Sequence, residues 1–381
     1  MNRIYLDHNA TTPAAAEVIE AVAQCLREEI GNPSSIHYFG QRAKRRLEEA
    51  REEVAALIGA DAKEIIFVSG GTEANNLAVK GVAEALVKKG RHLIATAVEH
   101  HAVLHGFESL ERRGFAVTRL PVDGQGRARV ETLAAALRPE TTLVSVMLAN
   151  NEVGTIQPVA EMAALCRERG VVFHSDAVQA AGKIPVEVEK LKVDLLSLSG
   201  HKFYGPRGAG ALYVRKGVPY QPQMHGGHQE RNRRAGTENL AGIVGLGVAA
   251  KLVRKHLADW AEQAEKLRRR LEQGLLRRIE DAKIFGSPDY HLPNTLCAGF
   301  GGTEGESLLM NLDLKGVAVS TGSACSSGTV EPSHVLQAMG VGPEYVRSAL
   351  RFSMGKDNTE QEIDRVIELL SDIVPRVRSL Q

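Results

Sequence analysis

Charge of one sign is what this sequence lacks most plainly: 47 lysines and arginines stand against 46 aspartates and glutamates. A surface so nearly neutral sets up no large field to gather nucleic acid or an anionic membrane, and a small neutral or zwitterionic ligand suits it better. Long apolar runs are missing too. The longest, Leu240 to Ala250, is too short to span a bilayer, and Met1-Asn2-Arg3-Ile4-Tyr5-Leu6-Asp7 has no apolar stretch of the kind that directs secretion. A cytoplasmic location is the expectation. Cysteine is scarce, and Cys25, Cys166, Cys297 and Cys325 lie far apart without a CxxC pair. That spacing excludes a disulfide framework and fits reduced thiols, one of which can still be reactive.

What is present is ordinary globular composition, 43% hydrophobic and 24% charged over 381 residues, enough for one large domain and a smaller one. Short β-branched runs alternate with glycine turns and amphipathic stretches, the order that builds a parallel sheet covered by helices. Ile65-Ile66-Phe67-Val68, His92-Leu93-Ile94-Ala95, Ala116-Val117-Thr118, Thr142 to Val146, Val171-Val172-Phe173 and Leu195-Leu196-Ser197 read as buried strands. Helical patterns separate most of them, such as Glu73 to Lys89 and Val159 to Arg169. The pattern predicts a doubly wound, mostly parallel α/β domain over residues 16–254. A long helix follows over Val244 to Glu280, whose arginine clusters read as a solvated face. Strands over Asn294 to Phe300 and Val317 to Ser320 and a last helix over Asn358 to Ser379 predict a smaller α+β domain, with a ligand cleft between the two.

Three motifs carry the chemistry. In Ser197-Leu198-Ser199-Gly200-His201-Lys202-Phe203-Tyr204-Gly205-Pro206 a lysine follows a buried strand, with Gly before it and Gly-Pro after it. The backbone turns sharply there and a ligand can approach closely, which suits a lysine that bonds a carbonyl cofactor, although a surface loop reads the same way in isolation. Ser199 and His201 are spaced to donate to a phosphate. In Val171-Val172-Phe173-His174-Ser175-Asp176-Ala177-Val178-Gln179 a strand delivers an acid at its C-terminal end, where open α/β sheets bind ligands. Asp176 there can keep a pyridine nitrogen protonated or simply cap a helix, and Gln179 can reach the ring's phenolic oxygen. Third, Ser69-Gly70-Gly71-Thr72-Glu73-Ala74-Asn75-Asn76 opens a helix after a strand, so its backbone N–H groups and the Thr72 hydroxyl can hold a phosphate.

Lysine, Asp-x-x-Gln and Gly-Gly-Thr in one chain resemble the fold-type I pyridoxal-phosphate enzymes. Further stretches narrow the resemblance to the group I cysteine desulfurases, the NifS/IscS family: Tyr5-Leu6-Asp7-His8-Asn9-Ala10-Thr11-Thr12, Gly31-Asn32-Pro33-Ser34-Ser35-Ile36-His37, Glu99-His100, Asn150-Asn151-Glu152-Val153-Gly154, Arg234-Ala235-Gly236-Thr237, Ser320-Thr321-Gly322-Ser323-Ala324-Cys325 and Arg351-Phe352-Ser353. The resemblance implies a fold-type I transferase whose large domain, 16–254, binds pyridoxal 5'-phosphate. The small domain, 1–15 and 255–381, carries the cysteine loop. It makes Lys202 the covalent attachment point, Asp176 and Gln179 the partners of the ring nitrogen and phenolic oxygen, and His100 the stacking ring, with neighbouring His101 as the alternative. It gives the phosphate to Gly71, Thr72, Ser199, His201 and Thr237, the last from the second subunit of a homodimer. Asn151 and Arg351 bind the carboxylate of L-cysteine, and Cys325 takes its sulfur, leaving alanine.

The small, polar, Gly-flanked surroundings of Cys325 suit a nucleophile on a surface loop, whereas Cys25, Cys166 and Cys297 read as packing residues. Further implications are a sulfur-acceptor protein, such as an iron–sulfur scaffold or a thiolation enzyme, and no direct nucleic acid or membrane partner. No resident metal is implied, Cys325 being the only candidate ligand for a cluster. Another fold-type I enzyme, such as a selenocysteine lyase, shares the cofactor residues without requiring Cys325. A non-catalytic adaptor on this scaffold has no need of Lys202 and Cys325 together.

Overall fold

The computed structural model describes residues 3–321 and 332–379. Its central sheet has seven strands in the order Ile65–Val68, Gly210–Val214, Leu195–Ser199, Val172–Asp176, Thr141–Ser145, His92–Thr96 and Ala116–Leu120. Every pairing is parallel except the two made by Gly210–Val214. Because that strand is antiparallel to both neighbours, Ile65–Val68 points the same way as the other five. Six C-terminal strand ends therefore share one edge, where ligands bind in open α/β sheets.

Alternation along the strands divides the core into two faces. Ile65, Phe67, Ile94, Val144, Phe173, Leu196 and Tyr213 pack together on one face with helices Tyr38–Ile58, Val159–Glu168 and the first half of Leu240–Arg278. Ile66, Val68, Leu93, Leu143, Leu195 and Leu212 pack on the other with helices Gly71–Ala85 and His101–Glu111. Strand Gly210–Val214 escapes the sequence reading because Gly208 and Gly210 at its start look like a turn. Gly210 is there for contact: a Cβ on it would lie 2.7 Å from the Gly70 Cα and from the Leu198 carbonyl oxygen.

A four-stranded antiparallel sheet, Ser320–Thr321, Leu350–Ser353, Thr295–Phe300 and Ala282–Phe285, packs with helices Gly305–Leu314 and Glu360–Arg378 around a separate apolar cluster. The 39-residue helix Leu240–Arg278, roughly 58 Å long at the usual rise, gives Leu246 and Val253 to the first core and Leu267 and Leu271 to this one. The run Val317 to Ser320 is two strands instead of one. Val317–Ala318 pairs in parallel with Ile4–Tyr5, and Ser320–Thr321 joins the antiparallel sheet.

Glu230, Arg231 and Asn232 stand in succession at φ 45°, 59° and 64°, a left-handed run that side chains disfavour. An ion pair with exposures of 3% and 2% holds it: Arg51 donates to both Glu230 oxygens at 2.7 Å, and the Phe67 amide donates to the same carboxylate at 2.9 Å. Removing one partner strands the other charge. Glu230→Ala is expected to lower stability by about 3–5 kcal/mol in chemical unfolding; a loss under about 1 kcal/mol would show that the segment holds itself.

Candidate active site

Five of the six strand ends on the shared edge, all but that of Ala116–Leu120, deliver parts of the site. Leu195–Ser199 runs into a 3-10 turn, Gly200–Lys202, and Gly205 folds back to donate to the Gly200 carbonyl at 2.9 Å. The fold-back points Lys202 along the edge, where its Nζ donates to the carbonyls of Asn9 at 2.6 Å and Ala10 at 2.9 Å. Burial and the Arg351 guanidinium lower this amine to about 8, against the opposite pull of Asp176 and Asp7. A lysine so placed is partly uncharged, and therefore nucleophilic, near neutral pH.

Val172–Asp176 delivers Asp176, 5% exposed. One carboxylate oxygen accepts the Val178 amide at 2.9 Å and the other accepts Asn75 Nδ2 at 2.6 Å. Local capping and a role in the cavity thus coexist. Ile65–Val68 leads into the helix Gly71–Ala85, whose first turn contributes Gly71 and Thr72. A Cβ on Gly71 would approach Val178 Cγ2 to 2.8 Å, so a side chain would crowd the helix start against the cavity wall.

His100 caps the helix His101–Glu111, its Nδ1 accepting the Ala102 amide at 3.0 Å. With Nδ1 used as an acceptor, the ring proton sits on Nε2. Burial, with Lys202, His101 and His105 nearby, holds the ring below the usual histidine range despite Asp176. His100 is therefore set up as a neutral ring with one N–H to donate. His201, lowered to about 4 by burial and then by Lys202, Arg207 and Lys183, is neutral as well.

These residues line one cavity of about 240 Å³: Gly71, Thr72, His100, Asn151, Asp176, Gln179, Ser199, His201 and Lys202, with Asn75, Met147 and Val178. An adjoining chamber of about 190 Å³ shares His100, Asn151, Gln179 and Lys202 and adds Arg351. Arg351 donates to Asp7 Oδ1 at 2.8 Å and to the Asn151 carbonyl at 3.1 Å. Its Nε is buried with no hydrogen-bond partner among the described residues, a donor that a bound carboxylate can satisfy. His101 lines this second chamber, whereas His100 lines both.

Thr237 is not brought there; it is exposed in a separate groove with Phe67, Gly208, Glu230 and Arg234. Cys325 lies outside the described residues. The other three cysteines are free and buried, and burial raises each thiol, that of Cys166 to about 12. None of them is a ready thiolate. Asn9 and Asn75 line the chambers and Lys183 stands behind Gln179; the motifs contain the two asparagines but give them no part, and they do not include Lys183. The signal available for Asn75 was a polar residue on the packed side of a helix.

Among the described residues, no helix is long and apolar enough to cross a membrane, and no group of three or more His, Cys, Asp or Glu could hold a metal ion. Residues 4–366 match the family model described as Aminotransferase class-V. The curated cysteine desulfurase IscS of Dictyoglomus turgidum is 49% identical over 377 residues, covering 99% of this chain and 96% of that one. The enzyme of the same name from Methanosarcina thermophila is 49% identical, covering 99% and 93%. A solved NifS-like protein superposes with a TM-score of 0.92 at 42% identity over 98% of this chain and 100% of its own. The structure of SspA in complex with cysteine superposes with a TM-score of 0.81 at 34% identity, over 93% and 100%. With this match extending over nearly its whole length, the chain belongs to the class-V aminotransferase family.

Proposed function

We infer that this protein is a pyridoxal-phosphate-dependent cysteine desulfurase, which converts L-cysteine to L-alanine and passes the sulfur to Cys325. The observation that carries the reading is the pair of joined chambers, in which Lys202, Asp176 and the Gly71 helix start face one space and Arg351 the next. A selenocysteine-directed alternative finds no support in relatives named for desulfuration.

The donor set fits the cofactor. Gly71, Thr72, Ser199 and His201 would hold its phosphate, Asp176 its ring nitrogen, Gln179 its phenolic oxygen, His100 its ring face and Lys202 its carbonyl carbon. When bound, the cofactor supplies an electron sink for charge developing at the substrate α-carbon. Arg351 and Asn151 orient the substrate carboxylate. The Lys202 amine, once released, is the base that takes the α-proton. The Cys325 thiolate attacks the substrate sulfur: the S–S bond forms, the C–S bond breaks with its electron pair staying on carbon, and a proton completes alanine. His100, with its proton on Nε2, is a donor in this scheme.

We assign residues 16–254 to the cofactor-binding domain and 1–15 with 255–381 to the smaller one. The exposed position of Thr237, away from the cavity of its own chain, supports a homodimer in which it reaches the phosphate of the other copy. The balanced charge and unpaired thiols support a cytoplasmic enzyme that hands sulfur to an acceptor protein for iron–sulfur assembly or thiolation. The test is one turnover with sulfur-labelled cysteine. Alanine should appear together with a single extra sulfur on the peptide containing Cys325; alanine without sulfur on the protein would overturn the reading.

A further inference from the structure

Gln179 is gripped at both ends of its side-chain amide. Its Nε2 donates to the Asn9 carbonyl at 2.9 Å, and its Oε1 accepts from Lys183 Nζ at 2.5 Å. Lys183 also donates to Asn9 Oδ1 at 2.9 Å. Asn9 cannot turn over in response, because its Oδ1 also accepts from Asn294 at 3.1 Å. Its Nδ2 donates to the Asn151 carbonyl at 3.1 Å and to Thr295 at 2.9 Å. Lys183 is 7% exposed, and burial together with Lys202 and Arg351 holds its amine well below the usual lysine range. Its two hydrogen bonds, to Gln179 Oε1 and Asn9 Oδ1, tie the amine to the Gln179 frame and not to the cavity.

The proposed function gives this lysine no part in the chemistry, yet a buried lysine is costly to retain. We propose that Lys183 is a positioning residue that locks the Gln179 amide with its oxygen turned away, so that the second Nε2 hydrogen faces the cavity and meets the phenolic oxygen of bound pyridoxal phosphate. This rests on the reading above. An amide has a donor end and an acceptor end, and only the donor end stabilises a negatively charged oxygen. Without Lys183 the buried Oε1 loses its donor, and the amide recovers a partner by turning its oxygen toward the cavity. More negative charge then stays on the phenolic oxygen, and the proton it shares with the attached lysine nitrogen is held more tightly.

The experiment is a spectroscopic pH titration of the protein reconstituted with pyridoxal phosphate, without substrate. The charged and titratable groups lining the cavity and the adjoining chamber, Asp176, Glu152, Lys202 and Arg351 with His100, His101, His201 and His334, and His8 near Lys183, are the same in every variant. Lys183→Met should move the midpoint of the colour change upward by about one pH unit, the worth of one hydrogen bond. Lys183→Gln, which keeps a donor, should recover part of the shift. In a Gln179→Leu background, Lys183→Met should add nothing, which a merely structural role would not produce. Unchanged midpoints with cofactor bound overturn the inference alone; failure of the unaltered protein to bind cofactor overturns it together with the function. If Lys183→Met does not fold, Lys183→Ala against Lys183→Gln carries the same comparison, and equal midpoints in both and in the unaltered protein overturn the proposal.

Discussion

Cys325→Ala should keep its cofactor and its capacity to bind cysteine while losing alanine release by about a thousandfold or more, the scale seen when an enzyme loses its nucleophile. The reason is chemical balance. The carbon–sulfur bond breaks with its electron pair on carbon only if another atom accepts the sulfur, and no other described thiol can. Cys297 lies fully buried in strand Thr295–Phe300, Cys166 in helix Val159–Glu168 and Cys25 in helix Ala16–Glu28. Each would also have to leave its packed site and ionise against its burial. Replacing any of these with alanine should therefore cost stability, about 1 kcal/mol each, and leave turnover largely intact. Cysteine-dependent alanine release and mass spectrometry after one turnover separate the two kinds of variant. Alanine release at the unaltered rate by Cys325→Ala would refute sulfur transfer to the protein and leave a lyase as the better description.

Much of the cofactor end of the site was legible before any coordinates. Lys202, Asp176, Gly71 and Thr72 each follow a short buried run, and strand periodicity with glycine punctuation suffices to put them at one sheet edge. The substrate end was not legible from periodicity. Arg351 was named by resemblance alone, and its partner Asp7 is 344 positions away, joined to it only when the N-terminal segment lies beside strand Leu350–Ser353. Asn9 and Lys183 were missed for the same reason, since the bond between them spans 174 positions. Neither residue type, in its own local sequence, distinguishes a buried hub from a solvated loop. The strand Gly210–Val214 was lost to a local rule that fails when glycine serves close approach between backbones instead of a turn.

Lys202→Ala should abolish covalent attachment of the cofactor and lower turnover by at least about a thousandfold, because one residue supplies both the nucleophilic amine and the α-proton base. The experiment has a built-in rival in Lys183, a second amine that also contacts Asn9. Both are depressed by burial, so basicity does not decide between them. Geometry does. Lys202 lines both chambers, whereas Lys183 lines neither and is tied to Gln179 and Asn9. To reach the cofactor it would have to break both bonds and leave Gln179 Oε1 buried without a donor. Borohydride reduction followed by peptide mapping should therefore put the cofactor on Lys202 in the unaltered protein and on no lysine in Lys202→Ala. Attachment to the unaltered apoprotein should slow as pH falls below about 8, where the Lys202 amine becomes protonated and loses its nucleophilic pair. Stable label on Lys183 in the variant would show that the hydrogen-bonded frame around Gln179 opens readily. It would remove the ground for treating Lys202 as the sole attachment point.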